Sequence, residues 1–325
     1  MSESSRRRFL QHTATLTASA LAVPFLPSLL EGIGQGHSLR PDIQFPTAPK
    51  ERLAVASYPF RYHITGGTGR NMGKPQEPVM TLLEFPQLVV KRFGVRGVEP
   101  LSEHFHSTGA AYLAKFRDAV EKAGAHVVNI AVDGRYSFYH PHAAVRQKAI
   151  QTGRHWVEVA KAIGSPSIRA HIEGVNGVKP DVDRAAQSLA QLADYGASQN
   201  VVINLENDDE VSEDAFFIVR VIEKVNHPFL HALPDFANSM QSGNADFDYR
   251  AVTAMFHHAY NISHAKSGEM GDHDKYVAVN VAKTFGIAKA AGYRGYFSME
   301  WEGPGQDPFE GTASLIQECL KDLSA

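Results

Sequence analysis

The sequence predicts an α/β fold of the (β/α)8 type, a TIM barrel, and three observations support this prediction. Eight short apolar or β-branched runs recur after residue 52. Segments with apolar residues at helical spacing lie between them. The eight units together span about 250 residues, the usual size of one such barrel. An open doubly wound sheet is the alternative, but no G-x-G-x-x-G pattern follows the first run.

Each predicted strand is a run that ends in polar residues. In chain order the runs are residues 53–58, 95–99, 126–132, 167–173, 200–206, 229–235, 259–264 and 295–300.

Helices are predicted where apolar residues share one helical face. This spacing is clear in residues 113–120, 145–163, 185–196 and 309–323. Glycine readily adopts the left-handed conformation that ends a helix, and Gly94, Gly124, Gly164 and Gly292 fall where helices should stop.

The N-terminus resembles a twin-arginine export signal. Arg6 and Arg7 precede a weakly apolar run, and Pro24 and Pro27 interrupt that run too early for a membrane span. We therefore expect an exported protein, periplasmic or extracellular, with no stable membrane anchor. The predicted organisation is a signal peptide at 1–30, a linker at 31–51 and the barrel at 52–325.

Composition excludes some classes of protein. The 32 Lys and Arg residues against 35 Asp and Glu give a net charge of -3, so no basic field favours a nucleic-acid partner. The single cysteine, Cys319, lies in an apolar helical pattern and is expected to be a buried, inert thiol. Homo-oligomer formation is left open.

Titratable residues end four successive predicted strands: Glu206, Asp235, His264 and Glu300. In a (β/α)8 barrel the active site lies at the C-terminal ends of the strands, so these side chains should converge. Oxygen and imidazole ligands suit Mn²⁺, our first expectation, and also Mg²⁺, Co²⁺ or Zn²⁺. Taken singly, the two acidic residues on strands five and six could cap helices, and the histidine could be a hydrogen-bonded core residue.

Four short motifs resemble the xylose isomerase-like barrel superfamily of sugar isomerases and epimerases. They are N-L-E-N at 204–207, L-P-D-F-A-N at 233–238, I-S-H-A-K at 262–266 and S-M-E-W-E at 298–302.

The resemblance covers the whole barrel and implies roles for particular residues. It implies that Glu206, Asp235, His264 and Glu300 hold one divalent metal, and that the two glutamates also act as acid and base. Lys266 would stand beside the histidine and polarise a substrate oxygen.

The chain departs from relatives at two of these motifs. Asn238 stands where ketose epimerases place a histidine, and Ser267 where many relatives have aspartate. These changes leave the fold and the metal intact as expectations and leave the substrate open. The superfamily's apurinic-site endonucleases fit badly, because Asn238 removes one of their ligands and the chain lacks phosphate-binding charge.

Other strand-end residues are expected to line a sugar pocket, whose hydroxyls need polar partners and whose C–H faces stack on rings. The alternative is an ordinary hydrated barrel mouth. The residues expected to bind substrate are Tyr58, Arg61, Glu99, His171, Asn238 and Trp301, with Phe60, His63, His104, Asp133, Arg135, Tyr136 and Glu173 nearby.

These expectations combine into a metal-dependent isomerase or epimerase that moves a proton next to a sugar carbonyl. Glu206, Glu300 and Lys266 would be its catalytic residues. Export and the missing phosphate-binding loop favour a non-phosphorylated sugar or keto-sugar. One alternative is a lyase or dehydratase that acts on keto-sugars or keto-glycosides by the same first step. Another is a non-catalytic carbohydrate-binding subunit.

Overall fold

In the computed structural model, parallel strands form the centre of the protein at the positions that the sequence predicts. The residues described are 40–68, 75–170, 172–208, 214–239, 244–271, 275–303 and 307–324, all within one compact unit. The barrel strands in this part of the chain are β1 (Leu53–Ala56), β2 (Gly97–Glu99), β3 in two pieces (His126–Val127 and Ile130–Ala131), β4 (Ser167–Ala170), β5 (Val202–Glu206), β6 (Leu230–Leu233), β7 (Ile262–Ala265) and β8 (Tyr296–Met299).

The strands close into a ring. β1 pairs in parallel with both β2 and β8, so the first and last strands are neighbours. The first piece of β3 pairs with β2 and its second piece with β4. A backbone bridge joins Leu101, just after β2, to Ala131 of β3. Another joins Asp235, just after β6, to His264 of β7. The chain is therefore a (β/α)8 barrel.

A layer of helices surrounds the strands. Most helix starts are capped by a side chain that accepts from a backbone N–H, as Asp181 and Asn280 do. The helices in the described residues are α1 (Phe85–Phe93), α2 (Ala110–Ala123), α3 (Ala143–Ile163), α4 (Val182–Gln199), α5 (Ala215–Val225), α6 (Ala245–Phe256), α7 (Val281–Ala290) and α8 (Pro308–Ser324).

Left-handed residues end helices α1 to α5, and the glycine pattern predicts the first three of these ends. Gly94, Gly124 and Gly164 follow α1, α2 and α3 with φ of 64°, 68° and 78°. Asparagine does the same at Asn200 and Asn226, with φ of 56° and 46°, and these two ends were not predicted. Asparagine tolerates this conformation better than other residues that carry a side chain, because its short polar group bonds locally.

Apolar side chains fill the space between strands and helices. Cys319 belongs to this core, and burial raises the pKa of its thiol, which confirms the expected inert cysteine. A smaller apolar cluster joins strands β1, β6, β7 and β8 through Ala54, Leu233, Ile262 and Tyr296.

Two short strand pairs are additions to the barrel that the sequence analysis did not predict. After β7, Gly268–Gly271 pairs antiparallel with Lys275–Ala278. After β1, Ile64–Thr65 pairs in parallel with Met80–Thr81. Both follow the C-terminal ends of strands, where barrel enzymes carry their functional loops.

The segment before β1 lies at the opposite end of the barrel. The Asp42 N–H donates to Asn200 Oδ1 and the Tyr260 hydroxyl donates to the Pro41 carbonyl. Asn200 and Tyr260 precede β5 and β7, so this segment contacts the N-terminal end. The predicted signal at 1–30 lies outside the described residues. Among the helices described, none has the length and apolar character needed to span a membrane.

Candidate metal centre

Four buried side chains converge at the C-terminal end of the barrel. Glu206 ends β5 and His264 lies in β7, while Asp235 lies two residues after the end of β6 and Glu300 directly follows β8. His264 Nδ1 lies 2.5 Å from Glu206 Oε1, 3.3 Å from Glu300 Oε2 and 4.0 Å from Asp235 Oδ2. One ligand atom from each residue lies within 4.8 Å of the other three. The structure thus brings together the four residues that the sequence analysis selected.

One oxygen of Asp235 indicates what this cluster can bind. Its Oδ1 accepts from the backbone N–H groups of Ala237 and Asn238, at 2.7 and 2.8 Å. Its Oδ2 is buried with no hydrogen-bond partner among the described residues. An unsatisfied buried carboxylate oxygen is costly, and a divalent cation would satisfy it. Three carboxylates and one imidazole therefore fit a hard or borderline metal.

The charges in the cluster are strongly coupled. Burial alone would lower the pKa of His264, but Glu206, Glu300 and Glu99 raise it well above its ordinary value. Burial raises the pKa of Asp235 to about 8 despite the opposing charge of Lys266. Burial would also raise the pKa of Glu300, but His264 and Lys266 hold it far below its ordinary value. A cation would relieve the repulsion among these carboxylates.

Glu99 lies behind His264 with no exposed surface. Its oxygens accept from His264 Nε2 at 3.0 and 3.1 Å. If a cation replaced the proton on Nδ1, this bond would keep the other proton on Nε2, and the Nδ1 lone pair of the then neutral imidazole would face the cation. Carboxylates commonly orient metal-binding histidines in this way. Glu99 was expected to bind substrate, and its burial favours a role in positioning His264.

A chain of buried hydrogen bonds supports Glu99 from inside the barrel. Asn204 Nδ2 donates to Asn261 Oδ1, and Asn261 Nδ2 donates to Ser167 Oγ. Ser167 Oγ donates to Asn129 Oδ1, and Asn129 Nδ2 donates to Glu99 at 2.6 Å. All donors point toward Glu99, so the chain stabilises its ionised form. Asn129 lies in the gap that interrupts β3, which explains why that strand is broken there.

Arg169 is a site residue that the sequence analysis missed. It lies in β4, fully buried, and its Nη1 donates to Glu206 Oε2 at 2.8 Å and to Asp208 at 2.9 Å. Its Nη2 donates to Asp133 Oδ1 at 2.8 Å. Arg169 thereby holds one oxygen of Glu206 and leaves the other facing His264. Alternation along β4 was the available signal, because Ser167 and Arg169 share the inward face.

Lys266 stands beside the cluster, as expected, within a group of acidic residues. Its Nζ donates to Asn238 Oδ1 at 3.0 Å, Glu269 Oε2 at 2.8 Å and Glu302 Oε1 at 2.6 Å. It also lies 3.3 Å from Glu300 Oε2. Burial opposes its charge, but the surrounding carboxylates raise its pKa well above the ordinary value, so it remains protonated. Glu269 and Glu302 were not selected from the sequence.

Three other residues that were expected to bind substrate, Tyr58, Arg61 and Trp301, lie in the described part of the chain. The Arg61 guanidinium lies 4.2 Å from the centre of the Tyr58 ring and 3.9 Å from Glu302. Trp301 is only 8% exposed and packs against Gly311 of α8. His171 lies outside the described residues.

Two residues expected near the sugar pocket instead belong to the core. Phe60 and His63 both pack on Phe309, with ring centres 5.0 Å apart in each case. The short helix Tyr58–Phe60 after β1 turns these rings under α8, a change of direction that strand periodicity does not contain.

A comparison with models of protein families shows which family this barrel belongs to. The model described as xylose isomerase-like TIM barrel matches residues 88–323, most of the chain. The chain belongs to the xylose isomerase-like TIM barrel family. No curated protein sequence matches it.

Several solved structures are similar to this chain in fold, although distant in sequence. The 3-keto-D-glucoside 4-epimerase YcjR of E. coli is 14% identical, with a TM-score of 0.58 over 75% of this chain and 96% of its own. A xylose isomerase-like protein of Mycobacterium smegmatis in complex with magnesium is 15% identical, with a TM-score of 0.61 over 85% and 98%. The probable 3-DHS dehydratase AsbF of Bacillus anthracis is 12% identical, with a TM-score of 0.59 over 82% and 97%. At such identities the similarity shows the fold.

Proposed function

We propose that this xylose isomerase-like barrel is a divalent-metal-dependent isomerase or epimerase that acts next to a carbonyl of a non-phosphorylated sugar or keto-sugar. The observation that carries the proposal is Asp235 Oδ2, which has no hydrogen-bond partner in the described part of the chain and belongs to a buried cluster with two glutamates and a histidine. The functions named for fold neighbours, a keto-glucoside epimerase and a dehydratase, support an enzyme. The magnesium complex of a third neighbour supports a metal.

Glu206, Asp235, His264 and Glu300 would hold the metal, and Mn²⁺ is our first candidate. A bound divalent cation would polarise a substrate carbonyl and thereby acidify the neighbouring C–H group. Glu99 keeps the Nδ1 lone pair of His264 available by accepting from Nε2.

Glu206 and Glu300 are the proposed proton-transfer pair. They come from β5 and from the end of β8, so they reach the centre of the barrel from different sides. Epimerisation removes a proton from one face of a carbon and returns it to the other, which requires two such groups. Glu300 is ionised, as a proton acceptor must be, because His264 and Lys266 lower its pKa. Lys266, which stays protonated, would stabilise negative charge on a substrate oxygen.

A lyase or dehydratase is the second candidate. Asn238, in place of the histidine expected in ketose epimerases, bonds to Lys266. The site therefore lacks the histidine of ketose epimerases but retains the two glutamates that are proposed to remove a proton. In such an elimination one group removes the proton next to the carbonyl, and the departing hydroxyl or aglycone then needs only one proton donor.

Export by the twin-arginine route, to the periplasm or beyond the cell, is also part of the proposal.

Solvent deuterium exchange tests the proposed chemistry. The Mn²⁺-loaded protein is incubated in heavy water with ketoses, inositol ketones and 3-keto-glycosides, and products are followed by nuclear magnetic resonance. We expect deuterium next to the carbonyl of at least one compound. An unchanged skeleton would identify an epimerase or isomerase, and a lost hydroxyl or aglycone a lyase. No exchange with any compound would overturn the enzyme proposal and leave a carbohydrate-binding subunit.

The glutamate roles are tested by Glu206→Gln and Glu300→Gln, each reloaded with metal to full occupancy. Both should exchange at least about a hundredfold more slowly than the unmodified protein. Glu121→Gln, on the exposed face of α2, is the matched control and should exchange normally. Near-normal exchange in either fully loaded variant would remove that glutamate from the mechanism.

A further inference from the structure

A cavity opens beside the metal centre at the same end of the barrel. It has a volume of about 180 Å³ and lies between the segments that follow β2 and β3 and the middle of α3. The lining residues that matter here are Glu103, Asp133, Arg135, Tyr136, Thr152 and Trp156.

Asp133 and Arg169 connect this cavity to the metal centre. Asp133 lines the cavity and accepts from Arg169 Nη2 at 2.8 Å. The other end of the same guanidinium donates to Glu206 Oε2, also at 2.8 Å. One guanidinium with a hydrogen bond on each side therefore separates the nearest cavity carboxylate from a metal ligand. The cavity therefore borders the metal centre, and a ring held at the metal would lie next to it.

The lining has the chemistry of a carbohydrate subsite. Tyr136 is 37% exposed, and Trp156 is held edge-on by Phe105 with ring centres 5.5 Å apart. Such rings stack on the C–H faces of a sugar. Glu103, Asp133 and Arg135 offer charged acceptors and donors for hydroxyl groups.

Size and charge narrow the class of ligand. At about 180 Å³ the cavity is about the size of a single sugar ring. Two carboxylates and one guanidinium disfavour a phosphate or carboxylate group and favour a neutral ring.

We propose that this cavity binds the second ring of a glycoside, so that the substrate is a keto-glycoside of at least disaccharide size and not a free monosaccharide. The inference rests on the proposed function, because it assumes that the first ring reacts at the metal centre.

Selectivity between short and long substrates tests this subsite. Thr152→Trp on α3 would fill the cavity, and Tyr136→Ala would remove a stacking ring. In both variants the ratio of kcat/KM for 3-keto-maltose to that for 3-keto-glucose, measured by deuterium exchange, should fall at least about tenfold. Gln151→Trp, an exposed neighbour on the same helix, is the matched control and should keep the ratio. Exchange with an unchanged ratio in both variants would overturn the subsite while the proposed function stands.

Binding of unreacted maltose separates the two proposals. Saturation-transfer nuclear magnetic resonance should detect maltose on the unmodified protein and on Gln151→Trp, and should lose the signal on Thr152→Trp. If no keto-sugar exchanges, the proposed function fails, yet this binding pattern would still support the subsite. Absence of maltose binding, or equal binding by all three proteins, would overturn it.

Discussion

The carboxylate of Glu99 accepts from two directions, from His264 Nε2 above and from Asn129 Nδ2 below. The hydrogen bond from His264 sets which imidazole nitrogen faces the metal ligands. An amide at this position could not stabilise the Nε2 proton as a carboxylate does. Glu99→Gln should therefore weaken Mn²⁺ binding by about 10-fold to 100-fold, the usual effect of removing such a partner. Calorimetric titration with Mn²⁺ measures this, with Glu121→Gln as control. Equal affinity in the two variants would show that Glu99 does not orient the histidine.

His104 gives a prediction on pH dependence. Ser57 Oγ accepts from the Leu101 N–H and is hydrogen-bonded to His104 Nδ1 at 2.8 Å. Burial and the charge of Arg61 lower the pKa of His104 from 6.5 to about 3. Between pH 6.5 and pH 3, His104 is therefore protonated in the unfolded chain and neutral in the folded chain. Stability is retained above pH 6.5 and falls as the pH drops toward 3, by up to about 1.4 kcal/mol per pH unit.

His104→Asn retains an acceptor but cannot titrate, which isolates this contribution. Between pH 6.5 and pH 5 the unmodified protein should lose about 1.6 kcal/mol more unfolding free energy than the variant. Urea unfolding at the two pH values measures the difference. Identical pH dependence in both proteins would refute a neutral, buried His104.

Site residues at strand ends could be predicted, and residues that act across the barrel could not. Glu206, Asp235, His264 and Glu300 share one strand-end position, which the sequence displays directly. Arg169, Glu269 and Glu302 join the site only through side-chain reach from other elements. Which long side chain extends toward which carboxylate depends on packing that the sequence does not contain.

At the scale of elements, strand positions were predicted closely because each apolar run is short and bounded by polar residues. β3 is the exception, since its run reads as one strand while Asn129 turns inward to bond Glu99 and Ser167. The ribbon Gly268–Gly271 with Lys275–Ala278 was also missed. Its residues are too polar and glycine-rich to give an alternating pattern.

Two helical glycines test how α7 and α8 pack. At Gly286 of α7 an added Cβ would meet nothing within 4 Å, whereas at Gly311 of α8 it would lie 2.2 Å from the Trp301 ring. Gly286→Ala should therefore raise the unfolding free energy by about 0.5–1 kcal/mol, because alanine loses less backbone entropy. Gly311→Ala should lower it by about 1–3 kcal/mol through overpacking. Urea unfolding of both variants checks the pair, and equal effects would contradict the tight packing of α8 on Trp301.

At the scale of the whole molecule, the closed barrel could be predicted because eight units of similar length leave few other topologies. The strands that supply the metal ligands, β5 to β8, form one half of the ring. A metal there would join elements that are distant in sequence but adjacent in space. The predicted linker at 31–51 and the export signal belong to the other end of the chain, and the twin-arginine route remains a prediction.

The central claim is that these four strand-end residues form one metal site, and metal content tests it most directly. Protein produced with Mn²⁺ and freed of loosely bound ions is analysed by mass spectrometry of the elements, together with Asp235→Ala and the surface control Asp118→Ala. Circular dichroism checks that all three are folded. We predict about one ion per chain in the unmodified protein and the control, and less than about a tenth of that in Asp235→Ala. A full ion in Asp235→Ala, or none in the unmodified protein, would contradict the account.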